Sequence, residues 1–258
     1  AQRRSAAGRT PLLEPAVFET PPERAAVVSM LTTQALGRGI NLIVPLYIQI
    51  VQGGTALQTT VALLPYQLGK LITALLVVKM MQRWTPRRIA GAATALMIAG
   101  TLLLALTVRN DWDNATVMLS LGLIGLGSGT VATLLFNVLV SAAPPACAGD
   151  VGALRGTVSQ LGSAVGTAVT GALVAGILAA NVQRAVIDHP TISPALISQV
   201  PLDDVRFVAN DRLLEVLSRT TATPAEVESA VAINDDARLR ALKVTLLVLA
   251  GVGLLALM

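Results

Sequence analysis

Six apolar runs, each close to the roughly 20 residues that an α-helix needs to cross about 30 Å of hydrocarbon, constrain this chain more than any other feature. They lie at residues 26–51, 57–81, 88–108, 115–142, 155–181 and 242–258, the last of them cut short. Charged residues make up 13% of the 258, about half the usual share of a soluble domain, so these runs are written for lipid. The connectors between the first five runs are short and carry turn chemistry: Gly53 with Gly54, Pro86, Asn110 with Asp111, and Pro144 with Pro145. The fold class they predict is an all-α membrane protein of six crossings joined as helical hairpins.

Orientation follows from the basic residues, because short cytoplasmic loops collect Lys and Arg. Arg3, Arg4, Arg9 and Arg24 precede the first run, and Lys79, Arg83, Arg87 and Arg88 close the second. The first loop has no cation, and the third has only Arg109 beside Asp111 and Asp113. The expected plan is a cytoplasmic linker at 1–25, five crossings in 26–181, an extracytoplasmic segment at 182–241 and a truncated sixth crossing at 242–258, in a plasma (inner) membrane. The opening at Ala1 has no Met, and its basic stretch leads into polar sequence rather than a signal peptide, so further sequence is expected to precede it.

The outer segment has helix signals of its own. Thr223, Pro224 and Glu226 supply an N-cap, a first-turn proline and a capping-box partner, so a helix is expected to begin there. Upstream, Val205, Val208, Leu213, Val216 and Leu217 suggest an amphipathic partner, giving a helical hairpin of residues 203–219 and 223–240. His189, beside Pro190, reads as an ordinary exposed residue.

Polar side chains are costly inside a bilayer and turn toward protein or a water-filled path. The first span carries Gln34, Arg38, Asn41, Pro45 and Gln49 at steps of three and four, on one helical face, and is the leading candidate to line a cavity. Arg38 lies roughly 18 Å from either end of its span, too deep to snorkel. Lys70 sits at similar depth in the second span, on a face with Tyr66 and Thr73. Each cation costs about 2.5 to 3.5 kcal/mol on insertion scales. No Asp or Glu occurs between Glu23 and Asp111, so the partner is a substrate anion, water, or a carboxylate outside this sequence. For both cations a cavity role and a structural ion pair stay open.

The third span keeps only Thr94, Thr101 and Thr107 after its basic start, and the sixth only Thr245, so these two are expected to face lipid. Gly125 and Gly129 in the fourth span and Gly162 and Gly166 in the fifth suit close helix packing. Gln160, Ser163, Thr167 and Thr170 point to interhelical hydrogen bonding or a permeation surface.

Several chemistries fall away. Ser128 has no histidine in any span to activate it as a nucleophile. The glycine-rich stretch around it lies inside an apolar run rather than after a strand, unlike a phosphate-binding loop. One His and one Cys do not make an ordinary metal centre, and no cofactor is implied. The lone Cys147 forms no disulfide within the chain. The 19 Lys and Arg form no stripe interleaved with aromatics, so nucleic acid is not an expected partner.

The stretch from Ser141 through Pro144, Pro145 and Cys147 to Gly149, followed by Leu154-Arg155-Gly156-Thr157 and Gln160-Leu161-Gly162, resembles a family signature. With Pro11-Leu12-Leu13, Pro45-Leu46-Tyr47-Ile48-Gln49, Leu63-Leu64-Pro65 and Pro86-Arg87-Arg88, the chain is similar over nearly its whole length to the 14-helix drug:proton antiporters of the major facilitator superfamily. The resemblance implies the last six helices of such an exporter, with the first and fourth lining the cavity, the third and sixth facing lipid, and an outer hairpin like that of the quaternary-ammonium exporters. It also implies proton coupling through membrane carboxylates, which these spans lack, so the proton carrier is expected in a missing N-terminal half. Gln82 and Thr85 stand where the family has an acidic residue and a glycine, and Gly156 and Ser159 where Asn and Arg are common.

The expected function is proton-coupled export of drugs or other small amphipathic substrates, with Gln34, Arg38, Asn41, Tyr66, Lys70 and Asn137 facing the cavity. The alternative is a non-transporting scaffold or subunit that binds a partner through the outer hairpin.

Overall fold

The computed structural model of the protein describes residues 21–109, 115–142, 148–188 and 210–255. Outside them lie most of the N-terminal linker, the connectors holding Asn110, Pro144, Pro145 and Cys147, His189, the start of the expected first hairpin arm, and residues 256–258. The described elements are α1 (Pro21–Leu46), a π-helical turn (Tyr47–Val51), α2 (Ala56–Met81), α3 (Pro86–Thr107), α4 (Ala115–Ala142), α5 (Ala148–Asp188), α6 (Asn210–Leu217) and α7 (Pro224–Leu255). Five of these helices are long and apolar enough to cross a membrane, at Val27–Ile50, Ala56–Met81, Pro86–Thr107, Ala115–Val138 and Gly152–Ala185.

Local chemistry sets the ends. Thr55 caps α2, its hydroxyl accepting from the Gln58 amide while the Gln58 carboxamide accepts from the Thr55 amide at 2.7 Å. Pro86 opens α3 at a position where a missing N–H costs nothing. Gly53, at φ +63°, makes the turn between α1 and α2, a conformation that favours glycine. Thr223 and Glu226 exchange the reciprocal bonds of a capping box, and α7 begins at Pro224.

Two helices run further than the apolar runs suggest. No proline or glycine follows Gly176 in α5, which continues to Asp188. The second arm of the outer hairpin continues without a break into the apolar stretch assigned to the sixth crossing, because no glycine or proline falls between Ala225 and Ala250. The arm and that apolar stretch are therefore one continuous helix, α7, which is not among the five long apolar spans.

The helices pack as two groups. α4 lies against α2 and α3, and α5 lies against α1 and α7; α1 with α4 and α3 with α7 join them. The main core runs through Ile40, Val44, Tyr66, Met97, Leu104, Leu121, Ile124 and Leu246. α4 is the most buried span, and α2 and α5 are the most exposed, α2 presenting Leu64, Leu68, Leu71 and Leu75 to the outside. α3, expected at the lipid face, is half buried, with Ile89, Met97 and Leu104 turned inward. Its lack of polar residues reflects dry contact with α4 and α7 as well as any contact with lipid.

Candidate functional site

The site is built where α1 meets α5. Gln34 donates from its amide nitrogen to the Ser159 hydroxyl, and Arg38 donates from Nε to the Ser163 hydroxyl at 3.0 Å. One turn separates the two donors and one turn the two acceptors, so the helices run parallel and in register. Glycines let them approach: a methyl group at Gly162 would stand 2.8 Å from the Leu31 carbonyl oxygen, and one at Gly166 would collide with the Ala35 carbonyl.

Arg38 is bound to α5 yet exposed, on a side of α1 left open among the described residues. Among the described residues, no carboxylate lies within ion-pair reach of it. At the centre of the span Val27–Ile50, it sits roughly 17 Å from either end. Asn41, half-buried, donates to the Gly37 carbonyl at 2.8 Å. Four residues on, Pro45 has no N–H to give the Asn41 carbonyl, and the helix widens into the π-helical turn, where the Gln52 amide reaches the Tyr47 carbonyl. Gln49, on that turn, donates to the Thr59 hydroxyl of α2 at 3.2 Å.

α2 adds the second cation. Lys70 Nζ stands 5.3 Å from the centroid of the Tyr66 ring, within cation–π range. Tyr66 is 2% exposed, and its hydroxyl lies so near α1 that a methyl group at Gly37 would stand 3.1 Å from it. The ring thus bridges Lys70 to the turn of α1 that carries Arg38 and Asn41. Behind it, glycines seat α2 on α4: a methyl group at Gly69 would stand 2.8 Å from the Gly122 carbonyl oxygen, one at Gly125 would collide with the Tyr66 carbonyl, and one at Gly129 with the Thr73 hydroxyl.

The structure therefore brings Gln34, Arg38, Asn41, Tyr66 and Lys70 to one region. Asn137 stands apart, about 12 Å along α4 from Gly129, with its amide donating to the Thr133 carbonyl of its own helix. Near it, Arg155 stacks over Phe136 at 4.2 Å and ties the start of α5 to the end of α4. The polar residues of α5 divide between faces. Ser163 and Thr170 are buried toward α1, whereas Gln160 and Thr167 are exposed.

Sequence reasoning missed two features. Ser159, read only as a departure from a family pattern, is the partner of Gln34; its signal was the four-residue step to Ser163. Arg238, in the first half of α7, is 3% exposed: it donates to the Asn210 side-chain oxygen at 3.1 Å and lies 3.9 Å from Asp235, while its Nε and second terminal nitrogen are unpaired. Asn210 also receives Asn234 and donates to Asp235, so this cluster ties α6 to α7 beside Tyr47 of α1.

Comparison with known proteins gives this arrangement a context. The Major Facilitator Superfamily profile matches residues 2–182. The chain is 26% identical over 180 residues to the multidrug efflux pump LfrA of Mycolicibacterium smegmatis, covering 70% of this chain and 36% of that protein. It is 26% identical over 251 residues to the multidrug resistance protein Stp of Mycobacterium tuberculosis, covering 96% of this chain and 44% of Stp. Against the tetracenomycin C resistance and export protein of Streptomyces glaucescens it is 30% identical over 167 residues, 64% of this chain and 30% of that one. The chain spans less than half the length of each of these relatives.

Proposed function

This chain belongs to the Major Facilitator Superfamily, a family of transporters, and from that premise we propose that it is the C-terminal six-helix half of a proton-coupled multidrug exporter of the 14-helix type in a plasma membrane, with its N-terminus cytoplasmic. The observation that carries this reading is Arg38, a cation at the centre of a membrane span, held by Ser163 and exposed on its other side among the described residues. A charge so placed needs water, a substrate or a carboxylate opposite it, because leaving it in hydrocarbon costs about 2.5 to 3.5 kcal/mol even on the mildest scale. A two-half transporter rocking around a midplane site supplies that environment.

In this reading Gln34, Arg38, Asn41, Tyr66 and Lys70 contact a small amphipathic substrate, and Asn137 lines the same path nearer one mouth. The proton carrier is a carboxylate in the N-terminal half. The names and similarity of the relatives support drug export as the activity. Arg38→Glu in the full-length protein should alter efflux of a cationic and an anionic dye in opposite directions, each dependent on the proton gradient. Unchanged efflux of both dyes would remove Arg38 from the path. The native polypeptide should have about twice the 26.6 kDa of this chain.

A second reading draws on the outer hairpin, where Leu213, Leu217 and Ile233 make a core of their own. A membrane scaffold would bind a protein partner there. Deleting residues 203–219 would then abolish partner capture while no proton-driven flux exists to be lost.

A further inference from the structure

Three cations gather where α5 and α7 leave the apolar zone together. α5 has no Asp, Glu, Lys or Arg between Arg155 and Arg184, and α7 has none from Val244 to Leu255. Arg184 is thus the first charge beyond one apolar stretch, and Lys243 the last charge before the other. The two helices run antiparallel: Thr170 and Leu249 both meet Gly39, while Leu178 lies beside Ala241. Both charges therefore mark the same level of the bilayer, its boundary with water.

At that level a groove of about 500 Å³ is lined by Asn181, Arg184, Arg240 and Lys243, with Ile177 and Val244 on its apolar side. Among the described residues, none of the three cations has an ion-pair partner. Asp235 is taken by Asn210, and Asp236 lies one turn before Arg240, toward the polar end of α7. Like charges held together at a surface repel one another unless an anion joins them. An anion here must also tolerate an apolar floor.

We infer that the groove between α5 and α7 is a binding site for an anionic phospholipid, whose phosphate lies among Arg184, Arg240 and Lys243 while its first acyl carbons lie along Ile177 and Val244. Asn181 donates to the phosphate or to a headgroup hydroxyl. Basic pockets between membrane helices hold anionic headgroups in this way, and the long Arg and Lys stems reach the interface while their methylenes stay against lipid. The site does not depend on which way the chain faces, nor on what it transports.

Native mass spectrometry of the full-length protein, released from mixed micelles of phosphatidylglycerol and phosphatidylcholine, tests this directly. The wild type should retain phosphatidylglycerol in preference to phosphatidylcholine, and the triple variant Arg184→Gln, Arg240→Gln, Lys243→Gln should lose that preference by roughly tenfold. If the triple variant does not fold, Arg184→Gln alone, at an exposed position, should still lower it severalfold, while Arg83→Gln with Arg87→Gln leaves it unchanged. Excess inorganic phosphate should not displace the lipid, because it has no chains to seat. Equal retention of the two lipids by the wild type, an unchanged preference in both groove variants, or displacement by inorganic phosphate would overturn the inference.

Discussion

Two parallel helix pairs in this molecule are joined by different chemistry. In α2 with α4, Gly69, Gly125 and Gly129 press backbone on backbone, and the Thr73 hydroxyl beside Gly129 is turned back to the Gly69 carbonyl of its own helix. In α1 with α5, Gly162 and Gly166 bring the backbones equally near, but Gln34 and Arg38 add side-chain hydrogen bonds to Ser159 and Ser163. A seam of backbone contacts has one good arrangement, since packed interiors do not deform continuously. Hydroxyl and guanidinium groups keep donors and acceptors that water or a ligand satisfies equally well. The polar seam is also the one whose charge lies open, so the site is expected on α1 and its rigid support on α4.

The difference is most sharply broken at Gly125. Gly125→Val drives a side chain into the Tyr66 carbonyl, and thermal unfolding of the purified protein in detergent should register a loss of about 3 kcal/mol. A tolerated valine would mean that the α2–α4 seam is not the rigid one. Arg38→Met comes next and should separate function from stability: efflux falls roughly tenfold, the equivalent of one good contact, while stability changes by no more than about 1 kcal/mol. Equal losses in both would make Arg38 a structural residue. The smallest effect is the coupling between Gln34→Leu and Ser159→Ala in a double-mutant cycle, expected at about 0.6 kcal/mol, the average for hydrogen bonds between membrane helices. A coupling near zero would leave the two seams alike.

Much of the fold is legible in the residues. The apolar runs locate the five crossings because hydrocarbon leaves a helix no other way to satisfy its backbone. The Thr223, Pro224 and Glu226 cap marks the start of α7 because its signal is local. The long reach of α7 is less legible. Nothing in the local pattern marks Arg238 as buried; it is 3% exposed because α7 brings it beside Tyr47 and Leu178 of other helices. The candidate site divides the same way. Periodicity puts Gln34, Arg38 and Asn41 on one face, but the choice of Ser159 and Ser163 as partners depends on helix register, which no single helix encodes. Asn137 shares the polarity of the others without their depth, and depth along α4 follows from where the glycines dock.

The central claim is that the Arg38 face of α1 meets water and substrate in the middle of the membrane. Thiol accessibility measures this most directly, once Cys147, the one cysteine of these 258 residues, and every cysteine of the remaining sequence have been replaced with serine. With those changes made, Arg38→Cys in the full-length protein should react with a membrane-impermeant thiol reagent and be protected by a transported drug, while Leu71→Cys on the apolar face of α2 should not react. An unreactive Arg38→Cys, or one that labels equally with and without drug, would contradict the account.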